Sequence, residues 1–170
     1  SAPACGAGLC VGTCDSGWAD CDGNKLTNGC ESPIATDVNN CGGCGISCSS
    51  TNIPTRSCAN GFCNGTCAVG FADCDGNKQT NGCETNLNTS ATNCSACGTI
   101  CSSNHVTPTC AGGSCSTGTC AAGWGDCNQS GADGCETSLR TDVKNCNACG
   151  MTCSIAHAVA GCANGCYLAA

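Results

Sequence analysis

Asp20, Asp22, Asn24, Asn28 and Glu31 stand at positions 1, 3, 5, 9 and 12 of one loop. That is the ligand spacing of a calcium loop of the EF-hand type, where carboxylate and amide oxygens surround a hard cation. Asp73, Asp75, Asn77, Asn81 and Glu84 repeat the pattern. A third copy, Asp126, Asn128, Ser130, Asp133 and Glu136, has one residue deleted, which breaks the register. The position of the sharp-turn glycine is Lys25 or Lys78 instead, and two loop positions are cysteines. Asp, Asn and Gly are also ordinary turn residues. Turns and caps are therefore the preferred reading, with Asp20, Asp22, Asn24, Glu31, Asp73, Asp75, Asn77 and Glu84 as calcium candidates and no strong site expected.

Cys41/Cys44, Cys94/Cys97 and Cys146/Cys149 have the C-x-x-C spacing of zinc sites and redox dithiols. An even total of 26 cysteines favours cystines over both. Acid–base or nucleophilic catalysis finds little material. The two histidines, His105 and His157, share one repeat position, which Asn52 fills earlier, and carry no repeated partners. No catalytic residue and no cofactor are expected. Four sequons, at Asn64, Asn88, Asn93 and Asn128, are glycosylation candidates. Trp18, Phe71 and Trp124 recur at one position. They are read as a local core over the cystines, with stacking on sugars as the functional rival.

What must position these residues follows from composition. Of 170 residues, 26 are Cys and only 22 are Val, Ile, Leu, Met, Phe, Trp or Tyr. So little apolar surface does not offset the ordering entropy of a conventional domain of this length, which excludes Rossmann folds, TIM barrels and helix bundles. Disulfides, each contributing about 2–4 kcal/mol, must supply the difference. Five basic against twelve acidic residues leave a net charge of −7, too acidic for a phosphate backbone or an anionic membrane. No apolar run approaches a membrane span. Cysteine at this density belongs to an oxidising compartment, so the chain is expected to be secreted.

The cysteines fall into three octets. The first is Cys5, Cys10, Cys14, Cys21, Cys30, Cys41, Cys44 and Cys48; the second is Cys58, Cys63, Cys67, Cys74, Cys83, Cys94, Cys97 and Cys101; the third is Cys110, Cys115, Cys120, Cys127, Cys135, Cys146, Cys149 and Cys153. Cys162 and Cys166 match the first pair of a fourth. The residues between recur too: Gly17-Trp18-Ala19-Asp20-Cys21, Asn28-Gly29-Cys30-Glu31 and Asn40-Cys41 have counterparts one and two periods on. The period divides the chain into repeats 5–57, 58–109 and 110–161, with 162–170 as a partial fourth repeat or cap. Pairing stays open, since eight cysteines allow 105 connectivities; Cys162 and Cys166 either bond to each other or complete a unit begun in the third repeat. The fold class is small disulfide-rich modules of short β-hairpins and loops, with little helix, as three tandem repeats in an elongated rod. The Asn-Gly and Asp-Gly steps before Cys30, Cys83 and Cys135 predict tight hairpin turns with positive φ.

The segment from Asp37-Val38-Asn39-Asn40-Cys41 to Cys44-Gly45-Ile46-Ser47-Cys48 resembles the signature of plant stigma-specific cysteine-rich proteins. Over nearly its whole length the chain, with Asp-Cys-Asp-Gly-Asn, Asn-Gly-Cys-Glu and Asn-Cys-x-x-Cys-Gly, is similar to tandem cysteine-rich repeats of large secreted algal and bacterial proteins. That resemblance implies an extracellular surface or matrix protein without catalytic residues. The expected role is a structural subunit of a fibre, matrix or cell-surface layer. Head-to-tail self-association is expected from the opening pair Cys5 and Cys10 and the equivalent closing pair. Rival roles are a secreted carbohydrate- or receptor-binding module and a secreted inhibitor or effector. Glycans are the other expected partners; nucleic acid is not.

Overall fold

The computed structural model describes residues 12–169 and, ahead of them, the backbone of 5–6 and 9–10. The side chains of Cys5 and Cys10, and any bond between them, lie outside the described residues. The chain divides into two compact units, Ser1–Thr85 and Asn86–Ala170.

Among the described residues there is no helix, and the strands are two or three residues long. They pair two by two: β1 (Cys5–Gly6) with β2 (Leu9–Cys10), β3 (Cys58–Ala59) with β4 (Phe62–Cys63), β5 (Phe71–Ala72) with β6 (Thr85–Asn86), β7 (Thr109–Ala111) with β8 (Ser114–Ser116), β9 (Trp124–Gly125) with β10 (Thr137–Ser138), and β11 (Ala160–Cys162) with β12 (Cys166–Leu168). The disulfide-rich hairpin class read from composition is the observed one. Where the described strands carry cysteines, cystines rather than a hydrophobic face hold them, as Cys41–Cys58 and Cys48–Cys63 do at β3 and β4.

The hairpin turns sit elsewhere than expected. Between β3 and β4 the turn is Asn60-Gly61, with φ of 53° and 80°, the paired positive values of a type I′ turn. Gly112-Gly113 does the same between β7 and β8. Gly29, Gly82 and Gly134 do have positive φ, at 76°, 78° and 80°. In the first two copies, however, the glycine follows a single helical turn, in which the amides of Asn28 and Asn81 donate to the carbonyls of Asn24 and Asn77. These glycines terminate that turn in the manner of a left-handed helix cap.

The disulfides follow one rule. The third and fifth cysteines of each octet pair: Cys14–Cys30, Cys67–Cys83 and Cys120–Cys135. The fourth and seventh pair as Cys21–Cys44 and Cys127–Cys149, and Cys74 and Cys97, at the same positions of the second octet, are disulfide-bonded as well. The sixth and eighth reach forward to the first and second cysteines of the following octet: Cys41–Cys58 and Cys48–Cys63, Cys94–Cys110 and Cys101–Cys115, Cys146–Cys162 and Cys153–Cys166. No free cysteine occurs among the described residues. The cross-linked stretches, such as 14–63 and 120–166, are therefore offset from the sequence period. Cys162 and Cys166 complete links begun at Cys146 and Cys153, so the motive for assembly drawn from an unfinished closing fragment does not hold.

Cystine is the core. Among the described residues the buried apolar side chains are ten cysteines and one aliphatic residue, Ile53. Cys94, Cys101 and Cys110 cluster with Cys115, and Cys146, Cys153 and Cys162 with Ala160. The expectation of an aromatic core is corrected here: Trp18 is 46 % exposed, and Phe71 and Trp124 are only half-buried. Two-residue ladders offer no second apolar layer in which a ring could be fully buried.

Candidate functional site

The acidic loops are built as turns. In the first, Asp22 accepts from the Asn24 amide at 2.8 Å through Oδ1 and from Asn28 Nδ2 at 2.8 Å through Oδ2, while Asp20 Oδ1 also accepts from the Asn24 amide at 3.0 Å. Glu31 Oε1 accepts from the Cys21 amide at 2.8 Å and from Ser32 Oγ at 3.2 Å. The second loop repeats this with Asp75, Asn77, Asn81, Glu84 and Cys74. The hydrogen bonds set the ionisation. Asn28, then the Asn24 amide, hold Asp22 below the usual carboxylate range; Asn81, then the Asn77 amide, do so for Asp75. Glu31 and Glu84 are lowered first by their own backbone amides, then by those of Cys21 and Cys74.

Carboxylate oxygens of Asp20, Asp22 and Glu31, and of Asp73, Asp75 and Glu84, lie within 4.8 Å of one another, so each trio has the reach to hold a cation. The third copy discriminates between turn and metal site. There the charge is exchanged: Asn128 stands where Asp22 stands and Asp133 where Asn28 stands, yet Asn128 Nδ2 still donates to Asp133 Oδ2 at 2.8 Å. Ser130 and Cys127 amides still donate to Asp126 and Glu136. What is kept through a deletion and a charge exchange is the hydrogen bond, which is the property of a turn. Glu31 Oε2, Asn81 Oδ1 and Glu136 Oε2 are buried without partners.

The Asn-Cys-x-x-Cys-Gly motif is likewise conformational. Asn40, Asn93 and Asn145 each accept from the amide of Gly45, Gly98 or Gly150 at 2.8 Å through Oδ1, closing the loop around the C-x-x-C step. The two cysteines of each step bond to different partners, which removes both the zinc and the redox-dithiol readings. Asn93 is thereby committed on both sides of its amide, since its Nδ2 donates to Ser90 and Thr92. Asn128 is committed to Ser130 and Asp133. Asn64 and Asn88 are exposed, and Asn64 Nδ2 makes only a 3.5 Å contact to the Ala59 carbonyl.

Sequence reading missed a recurrent docking contact. Within the first compact unit the loop 49–52 lies against 68–83. The amides of Cys83 and Ala68 donate to the carbonyls of Thr51 and Asn52 at 3.0 and 2.7 Å, the Ser49 amide donates to Gln79, and Asn52 Nδ2 donates to the Cys83 carbonyl at 2.8 Å. Within the second unit the loop 102–105 repeats it. The amides of Cys135 and Ala121 donate to the carbonyls of Asn104 and His105 at 2.9 and 2.7 Å. Here the His105 ring stacks on Trp124, with centroids 3.4 Å apart and planes 11° from parallel. Asn52 and His105 both take φ of 52°, a left-handed conformation the contact requires. The shared repeat position of Asn52, His105 and His157 was the signal available beforehand; its partner was not visible.

No protein-family model, curated protein or solved structure matches the chain. The density of disulfides fits an extracellular protein, and among the described residues no helix is long and apolar enough to cross a membrane.

Proposed function

We propose that the chain is a structural repeat protein, a subunit of an extracellular fibre, matrix or cell-surface layer, that self-associates head to tail. The observation that carries this reading is the docking contact, built twice from equivalent residues, at 49–52 on 68–83 and at 102–105 on 121–135. A contact that recurs with the repeat is extensible, and heterologous contacts that do not close generate filaments. The side chains first suspected of chemistry are spent on turns, caps and cystines, which favours a structural over a catalytic role. The likeness to secreted tandem repeats of algal and bacterial surface proteins points the same way. Electron microscopy and sedimentation of the oxidised protein test it: concentration-dependent polymers are expected, and a monomer up to about millimolar concentration overturns it.

A second reading, a carbohydrate-binding module, has one observation in its favour. An open groove of about 690 Å³ in the first unit is lined by Ser16, Ile34, Asn60, Gly61, Phe62 and Gln79, and Phe62 is 71 % exposed. An exposed ring beside amide side chains suits sugar stacking. Binding on a glycan array that is lost in Phe62→Ala would favour this module over the structural subunit.

A further inference from the structure

The docking contact has two halves, a loop and a socket, and each compact unit carries one half that the described residues leave unfilled. The socket of the first unit is formed around Trp18, Gly29 and Cys30, the equivalents of Trp124, Gly134 and Cys135. Where the socket is filled, the glycine is covered: a Cβ on Gly82 would lie 2.5 Å from the Thr51 carbonyl oxygen, and one on Gly134 would lie 2.7 Å from that of Asn104. A Cβ on Gly29 would meet nothing within 4 Å. Cys83 and Cys135 are 0 % exposed, whereas Cys30 is half-buried and its amide donates no hydrogen bond among the described residues.

The matching loop is 154–157 in the second unit. Ser154, Ala156 and His157 occupy the positions of Ser102, Asn104 and His105. His157 has φ of 56°, close to the 52° of the two docked residues, so the loop already holds the docking conformation. Ala156 and His157 are exposed, and their carbonyls accept no hydrogen bond among the described residues. The residue types are also paired. The loop bearing Asn52 docks on the socket bearing Phe71, and the loop bearing His105 docks on the one bearing Trp124. The open loop bears His157 and the open socket bears Trp18, which is the second combination.

We propose that the 154–157 loop of one chain docks into the Trp18–Gly29–Cys30 socket of a second copy, with His157 stacked on the partner copy's indole. This rests on the self-association reading above and names its interface. The Ala156 carbonyl accepts from the Cys30 amide, as the Thr51 and Asn104 carbonyls do from Cys83 and Cys135. The contact joins unlike surfaces, so it leaves a free loop and a free socket at the ends of any open assembly.

Complementation of two blocked, fully oxidised chains tests this. Gly29→Asn fills the socket with a side chain that tolerates positive φ. Its matched control is Gly23→Asn, at φ 75° with equally open space but, like its counterpart Gly76, away from the contact. His157→Glu sets a carboxylate against the negative face of the indole. In sedimentation, wild type and Gly23→Asn should polymerise, and Gly29→Asn and His157→Glu should each stay monomeric. Their 1:1 mixture should form dimers and nothing longer, because one chain supplies the intact loop and the other the intact socket. His157→Ala should weaken association about tenfold. If wild type polymerises and the blocked variants do so equally, the interface is wrong while the self-association reading stands. A failure of the mixture to dimerise, or a loss of assembly in Gly23→Asn, also overturns the interface. A wild type that stays monomeric overturns the self-association reading itself, and the interface with it.

Discussion

The loops 20–30 and 73–83 are nearly the same sequence, with Asp-Cys-Asp-Gly-Asn-Lys at one end and Asn-Gly-Cys at the other, and in both the central Asp accepts from one Asn amide and from a second Asn side chain. They differ in what lies over them. Cys83 and Gly82 are buried under the loop 49–52, while Cys30 and Gly29 are half-open. The burial of a cystine here is decided by the neighbouring repeat rather than by its own loop.

The largest expected effect breaks the comparison altogether. Full reduction should unfold both loops, since the core among the described residues consists of cystines that contribute about 2–4 kcal/mol each, with Ile53 as the one buried aliphatic side chain beside them. Circular dichroism with alkylation mapping checks this, and a native spectrum after complete reduction would refute it. With limiting reductant the loops should separate: Cys14–Cys30 should be alkylated before Cys67–Cys83 and Cys120–Cys135, because a thiolate must reach the sulfur it attacks.

Substitution at the glycines should give the next largest difference. Gly29→Ala meets only the cost of a left-handed residue, about 1–2 kcal/mol. Gly82→Ala meets that cost and a clash with the Thr51 carbonyl, about 1–3 kcal/mol more. Denaturant melts of the oxidised proteins should place Gly82→Ala below Gly29→Ala; equal stabilities would mean that the docked loop yields freely.

Acid should produce a smaller, local effect. Asp22, Asp75, Glu31 and Glu84 are lowered in the folded chain, so their stabilisation is fully present above the ordinary carboxylate range and is lost as pH falls through their folded values. The protection of the Asn24 and Asn77 amides, taken relative to their intrinsic exchange rates, should therefore fall below about pH 4, while cystines hold the rest of the fold. Both loops should respond alike, because their carboxylates share the same partners; a response in one loop alone would show that docking sets the ionisation.

The smallest effect concerns the sequons. Expressed in a glycosylating host, Asn64 and Asn88 should be occupied ahead of Asn93 and Asn128, whose amides are committed to Ser90, Thr92 and Gly98 or to Ser130 and Asp133. Glycopeptide mass spectrometry checks the order.

Much of this architecture is legible in the residues themselves. A chain with 26 cysteines and few large apolar side chains has cross-links as its main source of stability, and strands without a hydrophobic face stay short. The turn chemistry of Asp22, Asn24 and Asn28, and of Asn40 before Gly45, is local, so spacing alone exposes it. Two things are not local. Cys41 pairs with Cys58 across the boundary that the sequence period draws, because a period has no natural starting point and only distance in space selects one of many pairings. The partner of the Asn52 and His105 position is equally hidden: a backbone carbonyl leaves no trace in sequence, and the stacking of His105 on Trp124 joins residues that spacing gives no reason to connect. Composition and local turns determined what this protein is made of. Tertiary structure alone decided which cysteines meet and which surfaces repeat, since both depend on where distant loops come to lie.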